Sequence, residues 1–196
     1  VNVLLINARQ PIEGMSSGKL SDHIAGAIRE HLAGRGGQVR VTDIVDGYDA
    51  EEEVGKHLWA DIVIAQSPVY WFGNPWIHKK YIDEVFNAGL LNPRMVASDG
   101  RTRGDPGKQY GTGGLMRGKK YMLSLTWNAP EAAFNDPDQF LFRGKSVDDV
   151  FTFNTSAYKF CGFEILPAFS FFDVLKHPIS EADLDRLRSH LDAHIA

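Results

Sequence analysis

Five short apolar runs, each parted from the next by a stretch with helical periodicity, leave this 196-residue chain few architectures. The runs lie at Asn2 to Asn7, Gln38 to Ile44, Ile62 to Ala65, Lys120 to Thr126 and Glu164 to Phe171. The first and third are nearly continuous, as strands covered on both faces are, while the second alternates. Helical patterns fill the gaps at Lys19 to Leu32, Glu51 to Trp59, Pro75 to Ala88 and Ser146 to Cys161, and a last one spans Glu181 to His194. Gly34, Gly36 and Gly37 punctuate the end of the first helix, so strand, helix and strand complete one βαβ unit.

With right-handed crossovers and no hairpin signal, this alternation predicts a flavodoxin-like, three-layer α/β/α domain over residues 1–196. Its five-stranded parallel sheet should run in the order 2-1-3-4-5. Two connections, residues 92–118 and 129–145, exceed the usual length, and long loops in compact domains tend to be functional. The first is dense in glycine and charge, and within it Gly100 to Gly114 reads as a flexible flap carrying Tyr110 or as a solvated loop.

Bulk properties remove several function classes. A formal net charge of −4 supplies no basic field for nucleic acid or anionic lipid. The single cysteine, Cys161, excludes an internal disulfide and reads as a small buried apolar residue. No metal site is expected: His190 and His194 are spaced i, i+4 but lack a third ligand type nearby. Asp183 and Asp185, on the same polar helix, read as surface charge. No apolar run reaches the length of a membrane span, and the chain opens directly on VNVLLI, so the cytoplasm is the default location.

The stretch from Ala60 to Leu90 is the most informative. A strand breaks at Pro68 into a loop bearing Tyr70, Trp71, Phe72 and Trp76. Asn74 stands as N-cap and Pro75 as first residue of the next helix. In open α/β sheets, flat anionic ligands bind where a strand's carboxyl end meets a helix N-terminus. The same aromatics also suit an oligomer contact or a core plug. Two further loops should meet this one at the carboxyl edge. Ser16, Ser17 and Gly18 open the first helix, where backbone N–H groups can hold a phosphate; an ordinary Ser N-cap is the plainer reading. Thr126, Trp127, Asn128 and Ala129 close the fourth strand and can border the pyrimidine edge of a flavin, or hold a core Trp and a turn Asn. The first loop has neither G-x-G-x-x-G nor G-x-x-x-x-G-K-[ST], which removes the dinucleotide Rossmann site and the P-loop.

Three longer strings make the chain recognisable: Pro75-Trp76 with Lys79 through Phe86, Ala97 through Arg103, and Gly118 through Pro130. With them the chain resembles the modulator of drug activity B family of flavodoxin-like quinone reductases along nearly its whole length. The resemblance implies a homodimeric, FAD-containing enzyme that passes hydride from NAD(P)H to a quinone through flavin N5 in ping-pong fashion. It implies FAD contacts from Ser16, Ser17, Gly18, Lys19, Leu20, Ser21, Asp22 and His23, from Val69, Tyr70, Trp71 and Phe72, from Tyr110, and from Thr126, Trp127, Asn128 and Ala129. Tyr70 and Tyr110 are the candidate proton partners. The first loop, from Asn7 to Met15, departs from the family pattern, which has a glycine at position 8 and a shorter connection. Tyr70 stands in place of a Trp. Two other classes keep a place: a flavodoxin-like electron carrier with no substrate of its own, and a module that uses its aromatics for dimerisation alone.

Overall fold

The structure is a computed structural model and describes residues 1–195. Strands β1 (Asn2–Asn7), β2 (Gln38–Asp43), β3 (Ile62–Pro68) and β4 (Lys120–Thr126) pair in parallel in the order β2-β1-β3-β4, with β5 (Glu164–Ile165) beyond β4. The order is thus 2-1-3-4-5, as the alternation predicts. Helices α1 (Lys19–Gly34) and α6 (Glu181–His194) cover one face; α2 (Ala50–Trp59), α3 (Trp76–Leu91) and α5 (Thr152–Cys161) cover the other. Alternate residues of each strand feed the two layers: Leu4, Ile6, Val63 and Ala65 pack with α2, α3 and α5, while Val3, Leu5, Ile62 and Ile64 pack with α1 and α6. Burial on both faces explains why these strands read as continuous apolar runs.

Four local expectations are corrected. The fifth strand is broken into β5 and a separate β6 (Phe169–Phe171), both paired with β4. Leu166 N–H still reaches the Tyr121 carbonyl at 2.9 Å, but Pro167 has no N–H, and Ala168 turns its own to Asp148 Oδ1 at 3.0 Å. The helix expected from Ser146 to Cys161 is two, a short α4 (Val147–Val150) with a Ser146–Asp149 capping box and then α5, joined through the fully buried Phe151. Asp183 is more than surface charge, because it completes the capping box of α6 with Ser180. Asn74 does not cap α3; its side chain bonds His78 Nδ1 at 2.9 Å instead, and Pro75 holds the N-cap position.

The stretch 92–118 is anchored rather than loose at its base. Ala97 N–H bonds the Gly113 carbonyl at 3.0 Å, Leu115 N–H bonds the Met95 carbonyl at 2.9 Å, and Met95, Val96 and Met116 are buried. Gly113 and Gly114 allow close approaches, since a Cβ would stand 2.1 Å from the Ser98 carbonyl oxygen at the first and 2.1 Å from the Cys161 carbonyl carbon at the second.

A buried polar network lies between α2, α3 and α5. The Glu53 carboxylate accepts from Thr42 at 2.9 Å, from Tyr81 at 2.6 Å and from Lys56. His57 Nδ1–H donates to the Glu53 carbonyl at 2.9 Å, which leaves Nε2 as the acceptor facing Tyr158 OH at 3.4 Å. Burial lowers both His57 and His78 to about 4. Among the described residues no helix is long and apolar enough to cross a membrane.

Candidate functional site

A cavity of about 250 Å³ opens at the carboxyl edge of the sheet, where the loops after β1, β3 and β4 converge. Met15, Ser16, Gly18, Leu20 and Ser21 line it from the first loop and α1. Pro68, Val69 and Tyr70 come from the end of β3, and Thr126 and Asn128 from the end of β4. The convergence expected from the sequence is therefore present. Val174 and Leu175, in the loop after β6, form a fourth wall that the sequence reading missed.

The first wall is a shaped turn. Ile12 N–H bonds the Ser16 carbonyl at 2.8 Å and Ser16 N–H bonds the Ile12 carbonyl at 2.9 Å, which presents Met15 at the cavity rim. Gly18 then caps α1 with φ 80° and no side chain capping the helix. Ser16 Oγ lies 3.4 Å from Gly18 N and Ser17 Oγ 3.5 Å from Lys19 N, both at the outer limit of a hydrogen bond. The first-turn N–H groups of a sixteen-residue helix are thus left facing outward, a seat suited to an anion.

The aromatic loop is a tight turn closed by reciprocal bonds between Tyr70 and Gly73, 2.9 and 3.2 Å long. Its central residues, Trp71 and Phe72, have φ 50° and 67°, a left-handed conformation that costs bulky residues about 1–2 kcal/mol each. Such strain is commonly found at ligand sites. Tyr70 OH donates to the Gln10 carbonyl at 3.0 Å and so ties the first loop to this one.

Several expected contacts fall elsewhere. Trp71 and Phe72 do not line the 250 Å³ cavity; with Phe153 they line a second hollow of about 520 Å³ behind the loop, and Trp71 is 94% exposed. Trp127 is a core residue, 2% exposed, packed among Phe134, Phe142 and Phe151 with its Nε1–H directed at Ser170 Oγ. The segment 129–145 folds back to bury it, and Ala129 packs against that same core. Lys19 and His23 are exposed and Asp22 turns to Arg9, so none of the three lines the cavity. Ser17 lines only the open outer face of the first loop.

Tyr110 is the largest departure. It packs on Phe160 with ring centroids 5.3 Å apart, near the carboxyl end of α5. That end adjoins the start of β5, which pairs with the first residue of β4, so Tyr110 stands toward the amino edge, opposite the cavity. One chain does not bring Tyr110 to the site.

Comparison with known proteins agrees with this geometry. A family model for the flavodoxin-like fold matches residues 1–195. The chain is 42% identical to the NADPH:quinone oxidoreductase MdaB of Haemophilus influenzae, over 98% of both chains. Among solved structures, a Klebsiella pneumoniae protein provisionally named a quinone reductase superposes with TM-score 0.72 at 24% identity, covering 99% of this chain and 83% of that one. General stress protein 14 of Treponema denticola, solved with FMN, superposes with TM-score 0.60 at 23% identity, covering 98% and 94%.

Proposed function

This chain belongs to the flavodoxin-like family, in the branch of the modulator of drug activity B quinone reductases, and on that footing we propose that it reduces quinones with NAD(P)H on a bound flavin. The observation that carries the reading is the cavity at the carboxyl edge, built by the loops after β1, β3, β4 and β6. Its chemistry fits a flavin phosphate and ring: an uncapped helix N-terminus and the Ser16 hydroxyl on one side, apolar Leu20, Val69, Val174 and Leu175 as walls, and the Asn128 amide at the end of β4.

A flavin held by the α1 N–H groups, Ser16 and Asn128 would supply two-electron hydride chemistry at N5 between NAD(P)H and a quinone. The protein's part is to bind, orient and exclude water. The N–H groups following Gly18 hold phosphate, and the apolar walls keep water from the ring. Asn128 and Thr126 offer hydrogen bonds at its polar edge. Tyr70 has its proton committed to Gln10, so its role is to brace the wall between the first and third loops. One small cavity favours nicotinamide and quinone taking turns at the same face, a ping-pong scheme.

We read the flavin as FAD and the working unit as a homodimer. The cavity of about 250 Å³ is below the roughly 300–1,000 Å³ of ordinary ligand pockets, so most of a dinucleotide would extend past it. Trp71, Trp76 and Phe153 are 94%, 65% and 76% exposed, large aromatic side chains of the kind interfaces favour. A second copy covering this face offers Tyr110 a route to the neighbouring site. We read the cytoplasm as its location, because an enzyme drawing on NAD(P)H needs a compartment where that carrier is kept reduced.

The test is the mass of the flavin released on denaturing the purified protein, together with NADPH oxidation in the presence of a soluble quinone. Release of FMN alone overturns the FAD assignment. Bound flavin without quinone turnover indicates an electron carrier, and a colourless protein that takes up no flavin indicates aromatics serving dimerisation only.

A further inference from the structure

We propose that Arg9 is a positioning residue that keeps the seat at the N-terminus of α1 able to accept a phosphate, by offsetting part of the negative charge of three carboxylates gathered around it. This rests on the flavin reading above. Arg9 follows β1 in the enlarged first loop, and its side chain is only 19% exposed. Its Nε lies 2.8 Å from Asp22 Oδ1 and 2.8 Å from Asp43 Oδ2, and Nη2 lies 3.6 Å from Asp46 Oδ1. Asn7 closes the cluster. Its Nδ2 donates to Asp22 at 2.8 Å and to Asp43 at 3.2 Å, and its Oδ1 accepts from Arg9 N–H at 3.3 Å.

Two features tie this cluster to the site. Asp22 is in the first turn of α1, directly after Ser21, which lines the cavity. The stem of Arg9 also abuts the capping glycine, since a Cβ on Gly18 would stand 3.2 Å from Arg9 Cδ. Asp22, Asp43 and Asp46 are thus gathered around a side chain that itself touches the capping residue of α1. Without the guanidinium, the three carboxylates lose their shared cation and oppose the phosphate, most strongly through Asp43, the least exposed of them at 20%. Helix N–H groups attract an anion by only a fraction of a charge, so the loss of one full positive charge from this cluster weakens the seat.

Arg9 could instead simply staple β1 to β2 and α1, and the two roles separate by ligand. Wild type, Arg9→Met, Arg9→Lys and Arg9→Met/Asp43→Asn would be stripped of flavin and titrated with FAD, FMN and riboflavin at low and high salt. Riboflavin has the ring but no phosphate. The expected result is that Arg9→Met weakens FAD and FMN about tenfold at low salt and leaves riboflavin within about twofold. The loss should shrink at high salt and be partly recovered in the double variant, which removes one unpaired carboxylate. Arg9→Lys keeps the charge and should keep the preference for phosphate. Equal losses for riboflavin and FMN would assign Arg9 a shaping role and overturn the proposal, as would a lysine variant that loses phosphate preference. If Arg9→Met does not fold, the double variant is compared with Asp43→Asn alone, and equal FMN affinity in those two overturns the proposal. A wild type that binds none of the three flavins refutes the flavin reading itself.

Discussion

The substitution His57→Phe measures how much acid sensitivity a single buried imidazole confers on this protein. His57 is fully buried between α2, α3 and α5, and burial lowers it from the ordinary 6.5 to about 4. Above pH 6.5 the ring is neutral in folded and unfolded chains alike and titration leaves stability unchanged. As the pH falls from 6.5 toward 4, the unfolded chain takes up a proton that the folded chain refuses, and stability is lost. Below about 4 both states are protonated and the loss is complete. A drop from 6.5 to about 4, at about 1.36 kcal/mol per pH unit, amounts to about 3 kcal/mol. A phenyl ring suits the surroundings, because Phe86 and Phe163 already meet the imidazole edge-on at centroid distances of 5.7 and 6.5 Å. The variant forgoes the bond to the Glu53 carbonyl, which lowers its stability near neutral pH by about 1 kcal/mol. Urea melts of both proteins from neutral pH down to about pH 4 should then converge and cross, with the wild type losing about 3 kcal/mol more than the variant. Carboxylates titrate in both and cancel in the difference. Parallel pH profiles would refute the reasoning, because they would mean that His57 is protonated without penalty inside the fold.

Gly18→Val places a β-branched residue at φ 80° and should weaken flavin binding, with a cost to stability of about 1–2 kcal/mol; unchanged affinity in apoprotein titrations would remove the first loop from the site. Sedimentation at micromolar concentration should show a dimer, and Trp71→Asp, at a position 94% exposed in the single chain, should shift it toward monomer. Initial rates at varied NADPH and quinone should give parallel lines, and intersecting lines would mean the two substrates bind together.

The fold was legible because strands buried on both faces cannot hide: the run Ile62-Val63-Ile64-Ala65 feeds both layers and has to be apolar throughout. Pro167 was equally visible, yet the strand around it reads as continuous until the partner for Ala168 N–H is found on Asp148, twenty residues away. The site was legible in its polar parts and less so in its aromatic ones. Trp127 at a strand end suits a ring border and a core plug equally well, and the decision lies with Phe134 and Phe142, which belong to a loop without helical or strand periodicity. Val174 and Leu175 carry no donor pattern; the only available signal was that a loop after the last strand also emerges at the carboxyl edge. The place of Tyr110 within one chain was hard to read because the pairing of residues 97 and 113 is long-range within a glycine-rich stretch, where local preference is weak.

The break at Pro167 also bears on how the sheet ends. A long bare strand at a sheet margin is a template on which another chain can add itself. Here that margin is reduced to a two-residue and a three-residue piece on either side of a proline, and the N–H of Ala168 is already taken by Asp148. At the opposite margin β2 carries Arg40, whose guanidinium lies 4.0 Å from the Trp59 ring and sets a charge against strand addition. Both borders therefore resist open-ended growth into fibres. The twofold contact proposed at the aromatic turn closes on itself, so assembly through it would stop at a finite size.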